Sequence, residues 1–425
     1  MDAAIAKGRA FLAKTCREGN LAALQETPAT VRAQAESCRT QAGFLRKQAE
    51  GLTHAGGGAR KEVQELLKQA KDQEAQAADL EKKAARMKEP SAPAPKPSGP
   101  GPAPAADFVL GHGEVALAGL ALVQTGLKPS DPLLEGIWRA LRDAKPKDIA
   151  GSETYTLALS MMFVDGMMHA KEPWPVPERK KEVSDWIQKT AGTLAGGCDG
   201  GAWTYGRDYT VAGAPGGYTV SGGDPIGSEA LKKAAVPGKD YDYSNTQYAL
   251  MGLKAAALCG AKVDEGVWRL VLQRFLLGQE PKGKARGWGY GKGEVSPRPT
   301  MTAAGLAALL VSRSESRLTP PERAVVEEGI RDGLAWFQEH WPPFTPGNGY
   351  LLYGLERLGV LGNLPKLGEH DWYAEGSRFL LGTQSADGSW GQGLGSTETS
   401  FALLFLCRGT RAAYAKGSYE VTESP

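Results

Sequence analysis

Residues 376–407 read GSRFLLGTQSADGSWGQGLGSTETSFALLFLC, and this stretch decides the fold. It begins with the end of a helix that has one apolar face. A glycine-rich turn follows, with the spacing Gln384-x-x-x-Gly388-x-Trp390, and glycine suits such a turn because it accepts positive φ angles. A second, apolar helix is predicted to begin after Thr399, whose side chain can cap the free N–H groups of the helix. The stretch therefore predicts a helix–turn–helix unit.

The same unit recurs upstream. Glycine–tryptophan turns read GGAWTYG at 200–206 and GWGYG at 287–291, and a degenerate copy, PGNG, lies at 346–349. An amphipathic helix is predicted before each turn and an apolar helix after it. Six helix pairs result, with first helices near residues 3, 132, 180, 265, 322 and 371 and second helices near 114, 154, 246, 302, 350 and 399. Several copies of one unit are typical of repeat architectures.

Two of the predicted first helices carry start signals. Asp131-Pro132 is predicted to place an N-cap before a proline at the first helical position. Thr319 and Glu322 have the spacing of a capping box.

The Gln384–Trp390 spacing and the glycine–tryptophan turns resemble the repeats of the α/α-toroid superfamily of terpenoid (squalene-type) cyclases and protein prenyltransferase β subunits. The resemblance covers the whole chain except one insertion. It implies an all-α fold, an (α/α)6 toroid, with the apolar second helices inside and the more polar first helices outside. Residues 1–16 and 107–410 would form this toroid, and residues 411–425 would be a C-terminal tail.

Residues 17–89 are predicted to be inserted between the two helices of the first repeat. Val31, Cys38 and Leu45 recur every seven residues, and after a glycine break alanines and leucines recur at three- and four-residue spacing. Two such heptad-patterned arms predict an antiparallel, coiled-coil-like helical hairpin. Residues 90–106, rich in Pro, Gly and Ser, are predicted to be a linker.

Composition narrows the possible partners. The chain has 425 residues, a formal net charge of +2 and 23% charged residues, so its charge provides no reason to expect a nucleic-acid partner. Five scattered cysteines argue against a disulfide framework. No run of about twenty apolar residues predicts a membrane span, and no signal-peptide pattern is recognised. A cytoplasmic location is therefore expected.

The candidate binding residues lie at one mouth of the implied toroid. The N-termini of the inner helices gather there, and their free N–H groups favour anions and carboxylates. The candidates at these helix starts and in the aromatic turns are His112, Glu114, Glu153, Trp203, Tyr205, Asn245, Trp288, Tyr290 and Tyr350.

Cyclase chemistry would need a strong acid at this mouth, and the candidate catalytic residues are Asp240, Asp242 and Glu398. The resembling cyclases place an Asp-x-Asp-Asp-Thr-Ala motif at the start of one inner helix. The matching stretch here is DYSNTQ, which begins at Asp242. Ser244 and Asn245 replace the next two acids and cannot donate a proton of that strength. Cyclase activity is therefore not expected.

Prenyl transfer would need zinc, which the resembling enzymes hold through Asp, Cys and His side chains on inner helices. The sequence has no Asp-x-Cys at an inner-helix start and no CxxC or His-x-x-x-His spacing. No metal and no cofactor are predicted. The Gln384–Trp390 turn is expected to join adjacent repeats, with the glutamine bonding the next helix end.

Two functions remain open. The first is a non-catalytic binding or scaffold protein that holds an isoprenoid or other apolar ligand in its central cavity, and that binds a protein partner or a second copy through the 30–88 hairpin. The second is a terpenoid cyclase-like or prenyltransferase-like enzyme acting on an isoprenoid, with a non-standard acid drawn from the carboxylates at the mouth. An aromatic-walled cavity would favour an isoprenoid, and a polar cavity would favour a peptide or a sugar.

Overall fold

The computed structural model describes residues 1–18, 39, 42, 46, 60–86, 111–145, 149, 151–205, 224–238, 240–281, 283–391 and 395–415. Within these residues the chain forms fourteen α-helices and no β-strand, so the fold class is all-α, as predicted. Contacts divide the chain into two compact units. The first comprises Met1–Cys16, Gly111–Gly391 and Gly395–Pro425, and the second comprises Arg17–Leu110 with Gln392–Leu394.

The helices follow one another in the order α1 Asp2–Glu18, α2 Arg60–Arg86, α3 His112–Gln124, α4 Pro132–Asp143, α5 Glu153–Met168, α6 Lys180–Gly196, α7 Glu229–Ala234, α8 Tyr243–Leu258, α9 Glu265–Leu277, α10 Pro299–Glu315, α11 Pro320–Glu339, α12 Gly349–Leu361, α13 Trp372–Thr383 and α14 Gly395–Cys407. None of these helices has the length and apolarity that crossing a membrane requires.

Two kinds of helix alternate in the first unit. The second helix of each predicted pair is mostly apolar and buried on almost all faces, and α8 buries every residue from Tyr243 to Ala256. The first helix is amphipathic, and α4 buries a single stripe that includes Leu134, Ile137 and Leu141. A helix that is apolar all round is expected in a core, and one with a single apolar stripe is expected on a surface.

The six apolar helices contact one another in cyclic order. Helix α3 packs on α5, α5 on α8, α8 on α10, α10 on α12, α12 on α14, and α14 on α3. The amphipathic helices pack against them, with α4 on α3, α6 on α5 and α8, α9 and α11 on α10, and α13 on α12 and α14. The core of this unit is therefore made by the apolar second helices.

Three tryptophans make the same pair of hydrogen bonds in three repeats. Each indole N–H donates to a carbonyl near the end of the preceding amphipathic helix over 2.8 Å. Each tryptophan backbone N–H donates to a threonine hydroxyl over 3.0–3.2 Å. The sets are Trp203 with Leu194 and Thr246, Trp288 with Phe275 and Thr302, and Trp390 with Leu380 and Thr399.

The predicted N-cap role of Thr399 is wrong. Helix α14 begins at Gly395, so Thr399 lies inside the helix, where its hydroxyl accepts from the Trp390 N–H. In the equivalent position of α8, the N-cap is Asp242 and not Thr246. The threonine hydroxyl accepts a hydrogen bond from the backbone N–H of the tryptophan in the turn, because that buried N–H has no hydrogen-bond partner within a helix. The cap at Asp131 and the capping box of Thr319 and Glu322 are confirmed.

Glutamines tie successive amphipathic helices together. Gln384 Nε2 donates to the Ala4 carbonyl of α1 over 2.9 Å, which joins the last repeat to the first. Gln279 Nε2 donates to the Gly329 carbonyl of α11 over 2.8 Å in the same way. The Gln–Trp turn therefore joins repeats as the sequence predicted.

The second unit contains α2 and three described residues of the arm that precedes it. Arg39 pairs with Glu81 at 2.5 Å, and Arg46 pairs with Glu74 at 2.8 Å, so the two segments are matched in opposite directions. These side chains are about half exposed, and such pairs stabilise little. Most of the first arm, the linker at 90–106 and residues 416–425 of the tail lie outside the described residues, so the hairpin stays a prediction.

The tryptophan–threonine bond makes a testable contribution to stability. We expect Thr302→Val to lower the free energy of unfolding by about 1–3 kcal/mol, because it leaves the buried Trp288 N–H without an acceptor. Urea denaturation measures this change. Thr193→Val is the matched control, since the Thr193 hydroxyl bonds only a carbonyl of its own helix in the structure. Equal losses for both variants would contradict the role given to Thr302.

Candidate functional site

Asp242 is the N-cap of α8 and directly precedes Tyr243. Its Oδ1 accepts from the Asn245 N–H at 2.7 Å and its Oδ2 accepts from Asn245 Nδ2 at 2.9 Å. Burial raises the pKa of Asp242, although the bonds from Asn245 oppose that change. Asp242 and Asn245 therefore form one local unit. Asp240 differs, because its side chain is 91% exposed and lies 3.5 Å from Lys292.

The other candidate carboxylates bond to different groups. Glu398 Oε2 accepts from the Gly349 N–H at 2.9 Å, and Glu114 Oε1 accepts from the Thr397 hydroxyl at 3.4 Å. Burial raises the pKa of both glutamates. Glu153 is buried, and its Oε2 has no hydrogen-bond partner among the described residues. Among the hydrogen bonds of the described residues, none links two of the candidate carboxylates to each other or to a shared donor.

Three candidate tyrosines lie in two hydroxyl groupings that a ring contact joins. The Tyr205 and Tyr290 hydroxyls lie 2.7 Å apart, and the Tyr155 ring centre lies 5.7 Å from that of Tyr205. The Tyr155 hydroxyl is 2.6 Å from Ser244 Oγ, which also bonds the Tyr350 hydroxyl. Burial raises the pKa of Tyr155 and Tyr350, so both phenols keep their protons and remain donors.

The network continues to a buried arginine on α12. Gln247 donates from Nε2 to the Tyr350 hydroxyl, and its Oε1 accepts from Arg357 Nη2 at 3.0 Å. The Arg357 guanidinium lies between the rings of Tyr248 and Tyr353, 4.8 Å and 4.5 Å from their centres. Such cation–π contacts stabilise the positive charge of this arginine, which is fully buried. Its Nε and Nη1 have no hydrogen-bond partner among the described residues.

These residues form what we call the tyrosine network: Tyr155, Tyr205, Ser244, Gln247, Tyr290, Tyr350 and Arg357. It joins α8 to α12, two helices that are not neighbours in the cyclic order because α10 lies between them. Polar side chains therefore span the space between these two apolar helices.

The remaining candidates lie outside the tyrosine network. Trp203 and Trp288 are 1% and 0% exposed, and their indoles bond to backbone carbonyls. This geometry makes them packing residues and gives no support to the ligand contact predicted for them. His112 is the first residue of α3 and is half-buried.

Sequence reasoning missed Tyr155, Ser244, Gln247 and Arg357 as members of the site. One signal could have found the arginine. Glu356 and Arg357 are a charged pair inside the otherwise apolar helix α12, and charges rarely enter such a helix without a partner. Ser244 carried a weaker signal, because it replaces an acid of the resembling motif.

Glu356, in the same helical turn as Arg357, binds Thr410 in the segment that follows α14. Its Oε1 accepts from the Thr410 N–H at 3.0 Å and its Oε2 accepts from the Thr410 hydroxyl at 2.6 Å. Burial raises the pKa of Glu356 to about 7, against the opposing effect of the Thr410 bonds and of Arg357. The carboxyl group is therefore protonated in the folded protein at a pH where it would ionise in the unfolded chain.

This pKa predicts a pH dependence of stability. A raised carboxyl pKa means that the stabilisation is fully present below about pH 4.5 and is lost as the pH rises to about 7. We expect this group to lower the free energy of unfolding by about 3 kcal/mol across that interval, and Glu356→Gln to remove this part of the decline. Urea denaturation at several pH values measures both proteins, with the exposed Glu369→Gln as control. Parallel pH profiles for wild type and Glu356→Gln would contradict the assignment.

No protein-family model, curated protein or solved structure matches this chain. The resemblance to the toroid superfamily therefore stays a prediction that rests on the repeat residues. A function has to be argued from the geometry of the tyrosine network and of the carboxylates around it.

Proposed function

We propose that this chain is a non-catalytic binding or scaffold protein built on an (α/α)6 toroid of the prenyltransferase and squalene cyclase type. The cyclic contacts of the six apolar helices support a closed inner ring. The recurring tryptophan–threonine bonds and the glutamine bond from α13 to α1 support a repeat architecture that closes on itself. Fold likeness alone assigns no activity, so the function rests on the interior.

The tyrosine network carries the proposal. A cyclase or a prenyltransferase needs an open interior to hold a long apolar substrate. Here Ser244 and Gln247 of α8 bond to Tyr350 of α12, and Arg357 extends the same chain of contacts. These side chains occupy space between two helices on separate parts of the inner ring, and they present hydroxyl, amide and guanidinium groups.

The position of the cyclase acid supports the same conclusion. Ser244 is bonded to two phenol hydroxyls, and Asn245 is bonded to Asp242. Neither can protonate an alkene, and the Asp242 carboxylate accepts two bonds as a helix cap. The residues at the motif therefore serve the fold and the network.

The polar groups of the network also bear on the ligand. An isoprenoid or other apolar ligand in the central cavity would have to pack against these hydroxyls and the Arg357 charge, and desolvating them without new bonds is unfavourable. A peptide segment could replace such bonds, since it carries its own donors and acceptors. We therefore favour a polar ligand, at the solvent-exposed hydroxyl pair of Tyr205 and Tyr290.

One observation favours the alternative, an isoprenoid-acting enzyme. Burial raises the pKa of Glu114, Asp242 and Glu398, and perturbed carboxyl groups often mark catalytic sites. Their hydrogen bonds lead to three different groups, which favours structural roles. Turnover of an isoprenoid by the wild type, abolished in Asp242→Asn and retained in Asp240→Asn, would establish the alternative.

Solvent extraction of the purified protein, followed by mass spectrometry, tests whether the interior holds a lipid. We expect no stoichiometric isoprenoid or other lipid in the extract, because the tyrosine network offers polar groups to a ligand. Tyr350→Phe with Arg357→Met is the matched variant, since it removes the phenol and the charge while keeping similar volume. A lipid bound stoichiometrically to the wild type would overturn the polar-interior proposal.

The second unit is the proposed partner site. Buried alanines, Ala42, Ala70 and Ala77, recur on its described segments, and alanine seams let helices approach closely. We expect deletion of residues 17–106 to leave a folded helical protein and to abolish a self-association or partner complex seen with the full chain. Light scattering and circular dichroism measure the two properties. An unchanged assembly after deletion would contradict the role of the hairpin.

A further inference from the structure

A second cluster of chemically active side chains lies at the C-terminal ends of α5 and α8. Asp165 and His169 are one helical turn apart, and Cys259 directly follows α8. Helices α5 and α8 pack against each other, so the three side chains meet although Cys259 is 94 residues from Asp165. The sequence did not predict this cluster, because its spacing matches no local metal motif.

The distances fit the ligand shell of a small ion. His169 Nδ1 lies 2.9 Å from Asp165 Oδ1, and Cys259 Sγ lies 3.8 Å from the same oxygen. All three ligand atoms lie within 4.8 Å of one another. Zinc binds nitrogen, oxygen and sulfur at about 2.0–2.3 Å in a tetrahedral shell, so two of its ligand atoms lie about 3.3–3.8 Å apart. Small side-chain shifts would bring these atoms around one ion.

The electrostatic surroundings favour a cation. The Asp165 side chain is only 2% exposed, and a buried carboxylate needs a positive partner. The last turns of α5 and α8 both end at this cluster, and the C-terminus of a helix carries partial negative charge. A small cavity lined by Asp165, Gln124 and Tyr353 has room for about one water molecule beside the carboxylate.

At present the C-terminal segment supplies the positive charge. Arg411 Nη1 bonds Asp165 Oδ1, and the Tyr414 hydroxyl donates to Asp165 Oδ2 at 2.9 Å. The Arg411 side chain is 25% exposed, so its guanidinium can turn toward solvent. A guanidinium and a metal dication at one carboxylate oxygen repel each other, and only one of them can bind there with full strength.

We propose that Asp165, His169 and Cys259 form a binding site for a divalent transition-metal ion of the zinc type, for which Arg411 competes. Binding leaves His169 neutral with Nδ1 as the ligand atom, and the Cys259 thiol loses its proton to solvent as sulfur binds the ion. Arg411 then leaves Asp165, and the C-terminal segment is released at that contact. The mixed nitrogen, oxygen and sulfur ligands select zinc or cobalt over magnesium and calcium.

Cobalt(II) is the probe, because a thiolate bound to it gives a charge-transfer band in the near ultraviolet. We expect the full-length wild type to develop this band on titration with cobalt and to lose it when zinc is added. Cys259→Ser should abolish the band, and His169→Ala should weaken binding at least about tenfold. Cys407→Ser is the matched control, since Cys407 is also half-buried but lies outside the cluster. Absence of the band in both the wild type and Arg411→Ala, or its persistence in Cys259→Ser, would overturn the site.

The competition has its own test. We expect Arg411→Ala to bind cobalt about tenfold or more tightly than the wild type, because it removes a cation from the ligand oxygen. Lys171→Ala removes an exposed cation near His169 in the chain and should leave the affinity within about twofold, since surface charges are screened. Circular dichroism establishes that each variant is folded. Equal cobalt affinities of Arg411→Ala and Lys171→Ala would overturn the competition and leave a metal site that Arg411 does not control.

Discussion

In three of the repeats, the tryptophan of the turn joins the two helices through a pair of hydrogen bonds. Its indole N–H satisfies a carbonyl at the end of one helix, and its backbone N–H binds a threonine in the first turns of the next. One residue thus sets where the amphipathic helix ends and how the apolar helix starts. The indole ring of Trp288 also packs closely against Gly305 of α10, since a Cβ on Gly305 would lie 2.4 Å from this ring. Asp242 and Asn245 at the start of α8, and Glu398 in the first turn of α14, lie on helices that this contact holds.

Charges inside the apolar helices impose a second constraint, because a buried charge is unfavourable without a partner. Lys254 pairs with Glu315 on the neighbouring α10, and Asp165 pairs with Arg411 from the C-terminal segment. Arg357 donates to Gln247 and lies against two aromatic faces. The partners come from distant parts of the chain, so these few charges hold the C-terminal segment and cross-link the apolar helices.

The two ends of the apolar helices therefore differ in chemistry. At the starts, carboxylates cap helices and phenols bond to one another, an arrangement that can recognise polar groups. At the opposite ends of α5 and α8, the Asp165 carboxylate, the His169 imidazole and the Cys259 thiol lie close together, and the Arg411 guanidinium binds the carboxylate. The first arrangement supports binding without chemistry on an isoprenoid, and the second offers a place where a metal ion and the C-terminal segment exclude each other.

Apolar spacing records which faces of a helix are buried, so the sequence predicted the six helix pairs, and the repeated turns predicted that Gln384 bonds the next helix end. The sequence missed the role of Thr399, since a threonine near a helix start reads as a cap unless the turn that faces it is known. Only the tertiary structure decided the tyrosine network and the Asp165 cluster. Ser244 meets Tyr350 across 106 residues, and Asp165 meets Arg411 across 246. Local patterns encode propensity and burial over a few turns, whereas the partner of a buried polar group is chosen by how distant helices close around it.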